Sequence, residues 1–283
     1  MLSTVGVVGA GTIGAGVAES FAAAGLKVVL IDVGLAQLEN ALHRIRNSLR
    51  AMRLTNPTDT PENVGDVLGR IHVTTNLSAL SSVDYVVENV FEDRALKLEI
   101  FGELDRICPA GCILAVNTSA VPVAHVAAAT RRPELVIGVH FMNPVAKKRT
   151  VEVIRGALTG DDTLRQTLAV LERIGKQAVV VGDGPGFVSN RVLMLTVNES
   201  MRVVEDGVSD AHNVDKIFRE CFGHPMGPLE TADLIGLDTI LATLDVLVDL
   251  THDQKFDACP LLRTMVRDGY LGRKSGRGFF KYE

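Results

Sequence analysis

The first 182 residues alternate short, nearly continuous apolar runs with longer stretches in which aliphatics recur every three and four positions. The runs VGVVG (5–9), KVVLI (27–31), IHVTT (71–75), VDYVVE (83–88), CILAVN (112–117), LVIGVHF (135–141), TVEVI (150–154) and QAVVVG (177–182) read as strands. They are rich in β-branched residues and apolar on both faces, which fits a pleat buried from above and below. The three-and-four spacing predicts helices, most clearly over 12–24, 35–52, 92–107 and 161–174. Strand and helix taking turns predicts an α/β fold: a doubly wound, mostly parallel sheet covered on both faces.

After Gly182 the strand-like runs stop. GDGPGFVSNRVL is a glycine and proline break, and the helical patterns beyond it cover 187–206, 213–222 and 233–250. The division is therefore a sheet domain over 1–184 and an all-helical domain over 185–283. The second has about a hundred residues, yet it carries LIGLDTILATLDVLVDL, more apolar surface than a small bundle hides alone. A homodimer through these helices is the expectation.

The 283 residues are 47% hydrophobic and carry a formal charge of −5 with no Trp. There is no basic stripe with interleaved aromatics, so nucleic acid is not an expected partner. No apolar run has the length of a membrane span and the N-terminus lacks the order of a signal peptide, so the expectation is a cytoplasmic protein with no membrane partner. Cys108, Cys112, Cys221 and Cys259 are too few for a disulfide framework and read as buried thiols. Cys108 and Cys112 resemble half of a zinc site, but no second pair completes it and no metal is expected.

Gly9, Gly11 and Gly14 form G-x-G-x-x-G where the first strand hands over to the first helix. The first glycine allows the tight turn, the second a close approach of pyrophosphate to backbone, the third close packing of helix on strand. Thr12 and Ile13 lie in the same loop. Asp32 ends the second strand, where a carboxylate accepts hydrogen bonds from ribose hydroxyls and repels a 2′-phosphate. The expected cofactor is NAD, on a sheet of Rossmann type, although FAD proteins use a similar loop.

Oxidation of an alcohol needs a base for the hydroxyl proton and donors for the developing carbonyl oxygen. Of seven histidines, six lie in contexts read as helix or turn, where surface or packing roles fit. His140 closes LVIGVH at the carboxyl edge of a strand, where open α/β sheets bind ligands. Glu152 on the next strand is a candidate partner that would fix the ring's tautomer. Ser119 in NTSA and Asn190 after the domain break could hold a substrate oxygen.

NTSA, HFMNPV, VEVI, GPGFVSNRVL, HPMGPLETADLIGLDT and GRKSGRGFFKYE together resemble the 3-hydroxyacyl-CoA dehydrogenase family over nearly the whole chain. The resemblance implies that His140 is the base, Glu152 its partner, and Ser119 and Asn190 clamps on the substrate's 3-oxygen, with the acyl chain entering between the domains. It implies NAD contacts from Glu92, Lys97, Asn117, Asn143 and Lys274, and a substrate contact from Ser48. Read without the family, Glu92 and Lys97 are a charge pair on a solvent-facing helix. The implied substrate is a short acyl thioester on coenzyme A or on an acyl carrier protein. Two stretches depart from the family pattern. NSLRAMRLTNPTD (47–59) supplies only Arg50 and Arg53 where many members have a lysine-rich segment, and Lys147, Lys148, Arg149 and Thr150 follow HFMNPV where the family is apolar. That basic run is either a solvated turn or a dock for an acidic carrier. Similarity to members that oxidise a carrier-bound glyceryl group in polyketide extender-unit pathways gives an alternative substrate, and a non-enzymatic NAD-binding sensor is the alternative of another class.

Overall fold

The computed structural model describes residues 2–55 and 63–282; part of the 47–59 stretch lies outside these residues. The eight apolar runs form β1 (Thr4–Val8), β2 (Lys27–Ile31), β3 (Ile71–Thr74), β4 (Tyr85–Glu88), β5 (Ile113–Asn117), β6 (Val136–Phe141), β7 (Thr150–Arg155) and β8 (Gln177–Gly182). They make one sheet in the order β3-β2-β1-β4-β5-β6-β7-β8. Neighbours are parallel except β6 and β7, which run antiparallel. The helices of this unit are α1 (Thr12–Ala23), α2 (Leu35–Thr55), α3 (Val64–Gly69), α4 (Arg94–Ile107), α5 (Val123–Ala127) and α6 (Asp161–Arg173).

The strand order turns back on itself at β1, which lies between β2 and β4, so the connections leaving β1 and β4 diverge and open a crevice at the carboxyl edge. Val5, Val7, Val28, Leu30, Val87, Ala115, Ile137 and Val139 pack with Val17, Phe21, Leu38 and Ile45 of α1 and α2 into one core. That core fixes the height of every strand end at the crevice.

The described chain divides into two compact units, Met1–Gly184 and Pro185–Glu283. The second contains α7 (Ser189–Glu205), α8 (Ala211–Phe222), α9 (Pro228–Ile235), α10 (Leu237–Thr251) and α11 (Pro260–Arg267), and has its own core around Met194, Val197, Leu229, Leu237, Leu244 and Phe256. No helix among the described residues is long and apolar enough to cross a membrane.

Several expectations need correction. The single helix expected over 233–250 is two, because Gly236 takes φ 105° between α9 and α10, a conformation open to glycine and closed to most residues. The helix expected from residue 92 begins at Arg94, since Asp93 caps it through a 2.8 Å bond from the Leu96 N–H. His72 stands in β3 rather than in a helix or turn. Cys221, expected to be buried, is exposed near the end of α8.

Candidate active site

At the end of β1, Gly9 takes φ 94° and a Cβ there would lie 2.6 Å from the Asn89 carbonyl. A Cβ on Gly14 would overlap the Gly9 carbonyl oxygen, so this glycine lets α1 press on the turn. Gly11 differs: a Cβ there would meet no atom of the described residues within 4 Å beyond its own chain neighbours. Its bareness serves no packing and leaves room for a ligand against the backbone. No side chain caps α1, and no carboxylate lies in its first turn. Its opening N–H groups therefore face outward with positive partial charge, as a pyrophosphate requires. Asp32 accepts the Ala10 N–H at 2.7 Å through Oδ2, which ties the tip of β2 to the glycine turn. Thr12 Oγ1 accepts from Arg44 at 3.1 Å, and Ile13 is half-buried against the core. Loop, acid and bare helix end fit a dinucleotide.

The next two strand ends are bound together by side chains. Asn117, ending β5, donates to Asn89 Oδ1 at 2.9 Å and accepts the Phe141 N–H at 3.1 Å. Its amide thus bridges β4, β5 and β6. Lys97 is fully buried, and its ammonium donates to both oxygens of Glu88 at 3.0 Å and to the Asn117 carbonyl at 3.0 Å. Glu92 and Lys97 are an ion pair at 3.7 Å, but not a solvent-facing one: Lys97 is buried, and its ammonium is held by protein acceptors. Burial pushes the Glu88 carboxyl above its ordinary range, against the pull of Lys97. Glu92 is turned toward the chain after β5, where its Oε1 accepts the Thr118 hydroxyl and the N–H groups of Ser119 and Ala120, each of the latter at 2.8 Å. A carboxylate gathering successive backbone donors fixes the shape of that turn.

Ser119, so held, places its Oγ 3.1 Å from His140 Nε2. The opposite ring nitrogen, Nδ1, lies 3.1 Å from Glu152 Oε2. The contact follows from the antiparallel ladder, in which His140 and Glu152 are direct register partners and directly opposed side chains meet. Both residues are buried, at 6% and 7% exposure. A neutral imidazole that donates from Nδ1 to a carboxylate keeps a lone pair on Nε2, so the ring is set up to accept a proton on its Ser119 side.

Asn143 is exposed in the turn after β6. Ser48 donates to Glu19 Oε1 at 2.8 Å, so its hydroxyl is engaged with the neighbouring helix. Glu19 is buried, which pushes its carboxyl up to about 7 against the Ser48 bond and the Lys176 charge. It borders a cavity of about 350 Å³ also lined by Met52, Arg53, Ala146 and Lys176. Asn190 is the second residue of α7, and Lys274 pairs with Asp238 at 2.5 Å; both belong to the helical unit. Glu88, Asn89 and Thr118 were not singled out in the sequence, although all lie within two residues of a strand end.

Models of known families match the chain in two consecutive segments: the NAD binding domain of 3-hydroxyacyl-CoA dehydrogenase over residues 4–184 and the C-terminal domain of the same enzyme over residues 186–282. A Bacillus subtilis protein named "Probable 3-hydroxybutyryl-CoA dehydrogenase" is 45% identical over 98% of this chain and 96% of its own. The 3-hydroxybutyryl-CoA dehydrogenase of Bradyrhizobium diazoefficiens is 40% identical over 100% of this chain and 96% of its own. The crystal structure of (S)-3-hydroxybutyryl-CoA dehydrogenase from Ralstonia eutropha superposes with a TM-score of 0.93 at 37% identity, covering 100% of both chains. With a dinucleotide cradle and an imidazole between a hydroxyl and a carboxylate at the same sheet edge, and with both family segments matched in order, the chain belongs to the 3-hydroxyacyl-CoA dehydrogenase family.

Proposed function

We propose that the protein is an NAD-dependent dehydrogenase that interconverts 3-hydroxyacyl and 3-oxoacyl thioesters carrying a short acyl group. The observation that carries this reading is the Ser119–His140–Glu152 chain, 3.1 Å at each link. In oxidation the Nε2 lone pair of His140 takes the proton of the 3-hydroxyl, and in reduction the ring returns it. Glu152 accepts the Nδ1 proton, holds one tautomer and stabilises the imidazolium that forms. Ser119 donates to the same substrate oxygen as it becomes a carbonyl. The family resemblance assigns Asn190 to that oxygen as well. NAD, when bound, supplies the acceptor for the two electrons and the hydrogen that leave carbon. Asp32 and the glycine turn hold the dinucleotide. Glu92, Lys97 and Asn117 act one layer below, as positioning residues that fix the Ser119 turn and the end of β6.

His140→Gln keeps the size of the side chain and removes the base. It is expected to lower kcat with acetoacetyl-CoA and NADH by about 10² to 10⁴-fold, while the NAD dissociation constant changes by less than about twofold. A variant that keeps a tenth of the wild-type kcat would remove His140 from the role of base. A wild-type chain that binds NADH yet oxidises none of it with acetoacetyl thioesters on either coenzyme A or a carrier protein would favour the sensor reading.

A second reading concerns the tether. Lys147, Lys148 and Arg149 are all exposed on the loop that leaves β6, and Arg53 and Lys176 line the adjoining cavity. This supports docking of an acidic acyl carrier protein, with a glyceryl group among its cargoes, as an alternative to coenzyme A. Reversing the three exposed charges is expected to lower kcat/KM for the carrier-borne substrate by about tenfold or more at low salt. Equal rates before and after reversal would remove the docking role. The exposed Val192 of α7 and Ile217 and Phe222 of α8 support a homodimer through the helical unit, which sedimentation equilibrium reads directly.

A further inference from the structure

Two buried cysteines that the proposed chemistry does not use flank the turn Cys108-Pro109-Ala110-Gly111-Cys112, which joins α4 to β5. The Cys112 N–H donates to the Pro109 carbonyl at 2.9 Å, so the chain doubles back and carries the two cysteines at the ends of one turn, with the Cys112 thiol donating to the Ile113 carbonyl at 3.6 Å. The turn is pinned from outside by the buried guanidinium of Arg132, which donates to the carbonyls of Asp105 at 2.9 Å, Cys108 at 3.1 Å and Pro109. The Arg132 Nε also meets the Asp105 carboxylate at 2.9 Å, so the sulfur of Cys108 lies beside a fixed guanidinium whose charge favours a thiolate and a carboxylate that opposes it. Cys112 also lies in the wall of a cavity of about 520 Å³ shared with Asp84, Tyr85, Pro109 and Gln166, a volume that admits a small oxidant.

The two sulfurs are unequal. The neighbouring Cys112 thiol and the charge of Arg132 hold the Cys108 thiol below its ordinary value, against burial and the Asp105 carboxylate. The neighbouring Cys108 thiol and burial push Cys112 up. One partner is thereby the better thiolate and the other keeps its proton until it is needed. The turn precedes β5, whereas Asn117 ends the strand and Ser119 follows it at the far end, so the pair is separate from the proposed catalytic group.

We propose that Cys108 and Cys112 form a dithiol that a hydroperoxide oxidises reversibly to an intrachain disulfide, with Cys108 attacking and Cys112 resolving. In the first step the Cys108 sulfur attacks the peroxide and the O–O bond breaks. Cys108 becomes a sulfenic acid, and water or an alcohol leaves with the thiol's proton. In the second, the Cys112 sulfur attacks the Cys108 sulfur, the S–S bond forms, the S–O bond breaks, and water leaves with the Cys112 proton. The dithiol loses two electrons and two protons in all, and the peroxide is reduced by the same two electrons.

The experiment uses the full chain, folded, treated with hydrogen peroxide, quenched, denatured and alkylated, followed by peptide mass mapping. The expected result is a peptide containing both cysteines that is lighter by about two mass units, with its alkylation reduced at least about tenfold and recovered after dithiothreitol. Cys221, which is exposed and has no sulfur partner in the same turn, serves as the internal comparison. In Cys112→Ser the resolving sulfur is gone and Cys108 is expected to stop at the sulfenic acid, captured by dimedone. Wild-type protein whose Cys108 and Cys112 both remain alkylatable while Cys221 is oxidised overturns the proposal, and that measurement stands even if the serine variant does not fold. Capture at Cys112 in Cys108→Ser at the rate seen for Cys108 in Cys112→Ser overturns the order of attack.

Discussion

Glu19→Gln isolates the effect of one buried carboxyl on stability. Glu19 sits on α1 at 4% exposure, accepts the Ser48 hydroxyl, and has its pKa pushed by burial from 4.5 up to about 7. The folded chain therefore holds a proton between those values that the unfolded chain has released. Stability falls as pH rises across that window, because the unfolded state binds fewer protons there, and levels off above about 7. The gap between the two values corresponds to about 3 kcal/mol of folding stability lost between pH 4.5 and pH 8. Glutamine keeps an oxygen for Ser48 and carries no charge at any pH, so the variant lacks this slope. One effect opposes the gain. Lys176, whose ammonium is bonded to the Val145 and Lys148 carbonyls, loses a nearby negative charge at high pH. The expected advantage of the variant is thus near zero at pH 5 and about 2 kcal/mol at pH 8. Urea unfolding of both proteins followed by circular dichroism at half-unit steps measures it. Glu88 is also pushed up by burial, but it titrates equally in both proteins and cancels in the difference. Curves that stay parallel from pH 5 to pH 8 would refute the assignment of a buried, protonated Glu19.

The glycine turn and the acid that faces it give further tests. Asp32→Ala removes the acceptor of the Ala10 N–H and the proposed ribose contact; NADH titration by fluorescence is expected to show at least about tenfold weaker binding and reduced discrimination against NADPH. An unchanged dissociation constant would show that the acid is not on the ribose. Gly11→Ala and Gly14→Ala separate binding from packing. The first adds a methyl where no atom of the described residues beyond its chain neighbours lies within 4 Å and should leave Tm unchanged while weakening NADH. The second drives a methyl into the Gly9 carbonyl and should lower Tm markedly. NADH binding by Gly11→Ala at wild-type strength would mean the dinucleotide does not approach that backbone.

Local patterns carried most of the fold. A strand needs only its own run of apolar, β-branched residues to be visible, and the eight strands lie where those runs lie. The dinucleotide loop was legible for the same reason, since three glycines and one carboxylate at set distances along the chain describe a single strand–turn–helix unit. Helix limits were less legible: a cap such as Asp93 or a left-handed glycine such as Gly236 acts through one backbone bond or angle that an averaged periodicity does not register.

What the sequence determined alone was thus the alternation of elements, the break after Gly182 and the glycine turn between β1 and α1. Only the tertiary structure decided which side chains meet. His140 and Glu152 are twelve residues apart in the chain, and they touch because β7 runs antiparallel to β6 and pairs with it in that register. Lys97 was legible as a charge on a helix, yet the packing of α4 against β4 and β5 buries it on Glu88 and the Asn117 carbonyl. Ser48, a substrate contact only by the family resemblance, donates to Glu19 of the neighbouring helix, a pairing that no pattern along the chain announces. Periodicity reports which way a residue points from its own element; pairing register and helix packing set what stands opposite, and these depend on the whole sheet closing at once.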